Sequence, residues 1–114
     1  MRYNRTVMDV IEYVDESGVS PFGVWLAQLN DTQAQARIDA RIGRLIDGLF
    51  GDCKPLAGGV WELRVDWGPG YRVYYARSGR QVIVLLCGGD KRRQNTDIKR
   101  ALALWQDWQR RMKK

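Results

Sequence analysis

An α+β fold is predicted for this 114-residue chain by three features. Residues 61–66 and 71–75 alternate apolar and polar side chains at the period of a strand. Three other segments carry apolar residues at helical spacing. Between the hairpin and the last helical segment, Gln81-Val82-Ile83-Val84-Leu85-Leu86-Cys87 runs almost continuously apolar, as a central strand covered on both faces does.

Taken in order, Val7 to Val14 mixes β-branched and aromatic residues and stops at Asp15-Glu16-Ser17-Gly18, a turn composition, so a first strand is predicted there. Ser20-Pro21 opens a helix, serine as N-cap and proline at the first helical position, with Phe22, Trp25, Leu26 and Leu29 following at helical spacing. Asn30-Asp31-Thr32 breaks and restarts the pattern. From Gln33 to Leu49, Ile38, Ile42, Leu45, Ile46 and Leu49 mark one face, and Gly48 and Gly51 end it. The two helices are expected to form an antiparallel pair. Asn95 to about Met112 places Ile98, Ala101, Leu102, Trp105, Trp108 and Met112 on one side of an amphipathic C-terminal helix. Residues 1–114 show no repeat or linker and read as one domain.

The hairpin sets the chemistry. Trp61, Leu63 and Val65 share a face with Tyr71, Val73 and Tyr75 only if opposed residues have an even index sum, which needs an odd-length loop; three residues with glycines supply it. That register puts Arg64 across from Arg72, with Glu62 and Tyr74 beside them. Opposed like charges are destabilising unless an anion lies between or beside them. A phosphate would serve. The alternative is that Glu62 or Asp66 neutralises the arginines diagonally on a solvated outer face. Arg72, pointing off the apolar face, is expected to be replaceable without cost to the fold.

The net charge of +6 is polarised. Of the 19 cations and 13 carboxylates, residues 1–57 hold six and eight, and residues 58–114 hold thirteen and five. A basic half attracts polyanions, nucleic acid foremost. Lys91, Arg92 and Arg93 follow Gly88-Gly89-Asp90, where the glycines are expected to release the chain from the last strand. Arg37, Arg41 and Arg44 form a second stripe along a helix, either an RNA contact or a solvated face.

No histidine is present, which removes the usual general base, every histidine-dependent triad and most zinc sites. Cys53 and Cys87 read as reduced thiols, Cys87 in the core. The glycine pairs lack the spacing of a nucleotide-binding loop, so no cofactor is expected. With no secretory or membrane-spanning apolar run, a cytoplasmic location with no membrane contact is expected. What remains suits RNA cleavage, because the nucleophile is the substrate's own 2′-hydroxyl; the protein orients the sugar, stabilises the phosphorane and moves two protons. Clustered cations lower one another's proton affinity, which suits one of them to act as base.

The chain resembles RelE/HigB-type toxins of bacterial type II toxin–antitoxin modules, the subgroup called addiction module killer proteins. The resemblance rests on Ser20-Pro21-Phe22 with Trp25-Leu26, Gly51-Asp52 with Lys54-Pro55, and Gly59-Val60-Trp61-Glu62-Leu63-Arg64. It continues through Gly68-Pro69-Gly70-Tyr71-Arg72-Val73-Tyr74 and Leu86-Cys87-Gly88-Gly89-Asp90-Lys91, with Gln94 and Asp97-Ile98. It implies a small antiparallel sheet with the two N-terminal helices on one face and the C-terminal helix alongside. It also implies a ribosome-dependent mRNA endoribonuclease held in check by a helix-turn-helix antitoxin; with no histidine, clustered cysteines or dense carboxylate site in the sequence, cleavage is expected to be metal-independent.

On that resemblance Arg72, Arg64 and Lys91 are the catalytic cations. Lys54 and Glu62 are candidate proton-transfer groups, as are Tyr74 and Asp90. Arg92, Arg93, Arg37, Arg41 and Tyr74 are candidate RNA contacts. Asp97 stands where RelE itself has a functional tyrosine. The same fold also hosts ParE-type gyrase inhibitors, and a member that only binds nucleic acid or antitoxin is the third reading.

Overall fold

A computed structural model describes residues 7–113. Strand β1 is Asp9–Glu12, followed by helices α1, Pro21–Gln28, and α2, Thr32–Ile46. Strands β2, Cys53–Pro55, β3, Val60–Val65, β4, Tyr71–Ser78, and β5, Val82–Asp90, complete a sheet ordered β1-β5-β4-β3-β2. A 3₁₀ turn at Lys91–Arg93 leads into α3, Gln94–Met112. The α+β class is as expected and agrees with a RelE-like fold, but the sheet is mixed rather than antiparallel, because β1 runs parallel to β5.

Both faces of the sheet are covered. On one, Phe22 of α1 and Ala34, Ile38 and Leu45 of α2 bury Leu63, Val65, Val73, Tyr75, Ile83 and Leu85. On the other, Ala101 and Trp105 of α3 bury Val60, Tyr74, Ala76, Val84 and Leu86. Burying each of the valine, leucine, isoleucine and phenylalanine side chains among them contributes about 1.5–3 kcal/mol before chain entropy is set against it. The hairpin strands are therefore not half solvated. The two N-terminal helices lie side by side on the sheet, tied by Gln35, whose Nε2 donates to the Leu26 and Leu29 carbonyls at 2.9 and 3.2 Å. Their main burial is against strands, so pairing with each other is secondary to packing on the sheet.

The caps explain the helix limits. Ser20 Oγ accepts from Gly23 N at 3.0 Å with Pro21 at the first helical position. Asp31 Oδ1 accepts from the amides of Gln33 and Ala34 at the start of α2. That helix ends at Ile46, three residues before the apolar pattern predicts. Gly48, at φ 77°, lets the Gly48 and Leu49 amides turn back to the Leu45 and Arg44 carbonyls, and Leu49 is left exposed. Strand β1 is shorter than Val7–Val14, and the edge strand β2 is an addition to the predicted set.

The β3–β4 register is the predicted one: Val65 opposes Tyr71, Leu63 opposes Val73, and Arg64 opposes Arg72. The loop spans residues 66–70, five rather than three, which keeps the odd parity. Strand β5 runs through Gly88 and Gly89 to Asp90 instead of ending before them. It also carries a bulge: Tyr74 opposes Cys87 and Tyr75 opposes Leu85, so Leu86 has no opposite number. Leu86 and Cys87 consequently both join the cluster under α3. Beyond the bulge, Gly88 faces α1 and Gly89 faces α3.

Candidate functional site

The register builds two rows of side chains on the α3 face of the sheet. One row runs Lys54, Glu62, Tyr74, Cys87; the next runs Arg64, Arg72, Gly89. Helix α3 covers Glu62, Tyr74 and Cys87 of the first row and leaves Lys54 exposed, and Arg64 and Arg72 border open space. There Asp52, Arg64, Val65, Asp66, Gly70, Arg72 and Lys91 line an open cleft of about 360 Å³. Three of its seven lining residues are cationic.

The two opposed arginines avoid each other by turning to different carboxylates. Arg72 Nε lies 2.9 Å from Glu62 Oε1 without the alignment of a hydrogen bond, and Arg72 Nη1 donates to the Gly70 carbonyl at 2.6 Å. Glu62 is 1% exposed and accepts Gln94 Nε2 on both oxygens, at 3.3 and 3.0 Å. Glu62 thus neutralises Arg72 diagonally, as one of the two readings of the hairpin had it, but from a buried position rather than on a solvated outer face, which also corrects the expectation that Arg72 is dispensable to the fold. A buried carboxylate that loses its cation costs about 3–5 kcal/mol. Gly70 is needed twice over: its φ is 81°, and a Cβ there would lie 3.0 Å from Arg72 Nη1.

Arg64 is held more loosely. Its guanidinium meets Asp52 at 2.9 Å, with both side chains about half exposed. A solvated pair of this kind contributes about 0–1 kcal/mol, so an anion entering the cleft can take the arginine from Asp52. Behind them, Arg41 donates to the carbonyls of Arg64, Phe50 and Asp52. It braces the cleft wall, with its donors on backbone rather than offered to RNA.

The other sequence-predicted residues fall into distinct places. Lys91 reaches the cleft; Lys54 is exposed on β2, across from Glu62 and outside the cleft lining. Glu62 and Tyr74 are buried, so neither meets solvent: Glu62 positions Arg72, and Tyr74, 0% exposed under α3, offers no face to a base. Burial, then the charge of Glu62, pushes the Tyr74 phenol well above its usual range, and its hydroxyl has no hydrogen-bond partner. Arg92 and Arg93 are exposed in the 3₁₀ turn before α3; Asp90 accepts from Arg92 N and Nη2, and that hydrogen bonding holds its carboxyl below the usual range. Arg37 lies 3.9 Å over the Trp67 ring, whose Nε1 donates to Asp31, and so secures the hairpin loop to α2.

Three residues that the sequence named only as motif positions, without a role, take part in the site. Asp52, which with Asp66 supplies the carboxylates of the cleft lining, pairs with Arg64. Gln94 fixes Glu62. Asp97, in the first turn of α3, is buried with Oδ2 unpartnered, seated where a side chain on Gly89 would be. Burial raises its carboxyl, against the lowering influence of Arg93 and Arg100. Among the described residues, no group of three or more Cys, Asp or Glu is arranged to hold a metal ion. No helix among them is long and apolar enough to cross a membrane.

Fold and cleft together define a small basic α+β protein whose sheet gathers arginine and lysine at the uncovered end of one face. The family model for phage derived protein Gp49-like (DUF891) matches residues 25–105, and the chain belongs to that family. A protein of Haemophilus influenzae (strain ATCC 51907 / DSM 11121 / KW20 / Rd), itself uncharacterized, is 49% identical over 86 residues, 75% of this chain and 87% of that protein.

Proposed function

We propose that the protein is the toxin of a type II toxin–antitoxin module, of the RelE/HigB kind, and that it cuts mRNA on the ribosome. The observation that carries this reading is the convergence of Arg64, Arg72 and Lys91 on one cleft. Three cations around a space of that size suit a phosphodiester whose charge grows on the way to a phosphorane.

In this reading the 2′-oxygen attacks phosphorus, the P–O5′ bond breaks, and a 2′,3′-cyclic phosphate and a 5′-hydroxyl result. Arg72, fixed by Glu62 and Gly70, stabilises the phosphorane. Arg64 exchanges Asp52 for a phosphate oxygen. Asp52, released, takes the 2′-hydroxyl proton, and the Lys91 ammonium protonates the departing O5′. Lys54, Arg92 and Arg93 contribute sequence-independent attraction to RNA. The chain acts in the cytoplasm without a cofactor, and a helix-turn-helix antitoxin silences it by laying an acidic segment over the cationic face.

The test adds purified protein to a translation reaction and maps mRNA ends, with a gyrase supercoiling assay alongside. mRNA breaks with normal supercoiling support the proposal. Intact mRNA with impaired supercoiling would assign the protein to the gyrase-directed branch instead.

A further inference from the structure

Helix α2 carries Arg37, Arg41 and Arg44 at i, i+4 and i+7, the spacing that sets side chains along one face of a helix. Asp39, about 200° around the axis from Arg37, is on the other side. The three arginines are held differently. Arg41 donates to the Arg64, Phe50 and Asp52 carbonyls and so ties α2 to the wall of the cation cleft. Arg37 is exposed but fixed: its guanidinium lies 3.9 Å over the Trp67 ring, and Trp67 Nε1 donates to Asp31 Oδ2 at 3.0 Å. Arg44 is exposed and, among the described residues, has no carboxylate partner.

These arginines, with Ala40, Val65 and Asp66, line a hollow of about 230 Å³. Val65 and Asp66 also line the cation cleft, so the two open spaces adjoin at the end of β3. Arg64, Arg72 and Lys91 stand on the cleft side and the α2 arginines on the other, against two carboxylates, Asp52 and Asp66. Asp52 is engaged by Arg64, which leaves Asp66 as the carboxylate to be explained. Cations that serve solubility alone are interspersed with carboxylates. A surplus along one continuous hollow surface draws a polyanion.

We propose that the α2 hollow is a second phosphate site for the RNA strand in the cleft, with Arg44 and Arg37 binding a phosphate that flanks the scissile one. The proposal rests on the mRNA-cleaving reading and extends its contact with the substrate. A strand whose scissile phosphate lies at Arg64 and Arg72 continues beyond the cleft, and the hollow receives it on the Val65 and Asp66 side. Phosphates alternate with sugars along the strand. The Asp66 carboxylate repels a phosphate at the shared wall, which sets a sugar there and phosphates in the two hollows to either side. Arg37, already fixed on Trp67, loses little freedom on binding, and its guanidinium plane suits a stacked base of any sequence.

Fluorescence anisotropy of a labelled oligouridylate about twelve nucleotides long tests the site. The intact protein is titrated at several salt concentrations without ribosomes, and the slope of log K against log salt reads the number of phosphate contacts. Arg44→Ala is expected to reduce that slope by about 0.7, one contact on a single strand, and to weaken binding about fivefold at about 0.1 M salt. Arg80→Ala removes an exposed cation from the β4–β5 turn, at the far end of β4 from Arg72, and should leave the slope unchanged. Asp66→Asn should tighten binding, and Asp39→Asn should not. An Arg44→Ala slope equal to that of wild type, or a slope that Arg80→Ala lowers as much, would overturn the proposal, as would absence of binding at low salt. If Arg44→Ala does not fold, the comparison of Asp66→Asn with Asp39→Asn decides. Cleavage of mRNA on ribosomes with an unchanged Arg44→Ala slope removes the second site and leaves the nuclease. A reduced slope without cleavage keeps the RNA site and removes the nuclease.

Discussion

Glu62 and Arg72, neighbours across β3 and β4, form an ion pair at 2.9 Å in which the carboxylate is almost wholly buried and the guanidinium borders the open cleft. The carboxylate is anchored from the other side by Gln94. Arg72 therefore neutralises a buried carboxylate of the core and also borders the cleft in which the proposed reaction would take place.

Replacing Arg72 with alanine is expected to destabilise the protein by about 3–5 kcal/mol, because Glu62 stays buried without its cation. Arg72→Ala combined with Glu62→Gln should recover most of that stability in urea unfolding while leaving cleavage depressed by roughly a hundredfold or more. A stable double variant that cleaves at the wild-type rate would remove Arg72 from the chemistry.

Much of this pair was legible in the sequence. Alternation on two strands fixed which residues share a face, and parity fixed Arg64 opposite Arg72, whatever the loop length. Burial of Glu62 and Tyr74 was not legible, because it depends on where α3 docks. The docking contacts are long-range: Tyr13 Oη donates to Asp107 at 2.6 Å, and Arg111 donates to the Val14 carbonyl at 2.6 Å. The glycines of β5 were read as a strand end because glycine usually weakens strands. Here they leave room for Trp25 and Asp97 on opposite faces.

Gly89→Ala should cost about 1–3 kcal/mol, since the new methyl meets the Asp97 carboxyl on a helix that cannot simply move away. Gly89→Ala combined with Asp97→Ala should cost less than the sum of the two single changes. Strict additivity in thermal unfolding would contradict the contact.

Asp97→Asn should raise the melting temperature at neutral pH, and the gain should shrink as the solution is acidified. Burial raises the folded-state pKa of Asp97, with Arg93 and Arg100 opposing and Asp90 and Tyr74 also near it. A carboxyl whose folded pKa lies above its unfolded value of 3.8 penalises the fold at higher pH, and the penalty is relieved as pH falls toward that value. A variant no more stable than wild type at pH 7, or a gain that grows on acidification, would contradict this environment for Asp97.

The wild-type protein should nonetheless lose stability in strong acid. Asp31 is held below its ordinary 3.8 by the Trp67 hydrogen bond, and Asp107 by the Tyr13 hydrogen bond. Each contributes stability above the unfolded pKa that is lost as pH falls through the lower folded pKa. Asp31→Asn and Asp107→Asn should each flatten the fall in melting temperature below about pH 4. An unchanged acid limb in both would show that these carboxyls do not carry it.

The most direct measurement is the chemistry of the cut ends of an mRNA translated in the presence of the protein. A 5′-hydroxyl and a 2′,3′-cyclic or 3′-phosphate are expected, with cleavage stopped by a 2′-methoxy group on the nucleotide just before the scissile phosphate. Ends with 5′-phosphate and 3′-hydroxyl, or cutting of the 2′-methoxy substrate, would contradict the account.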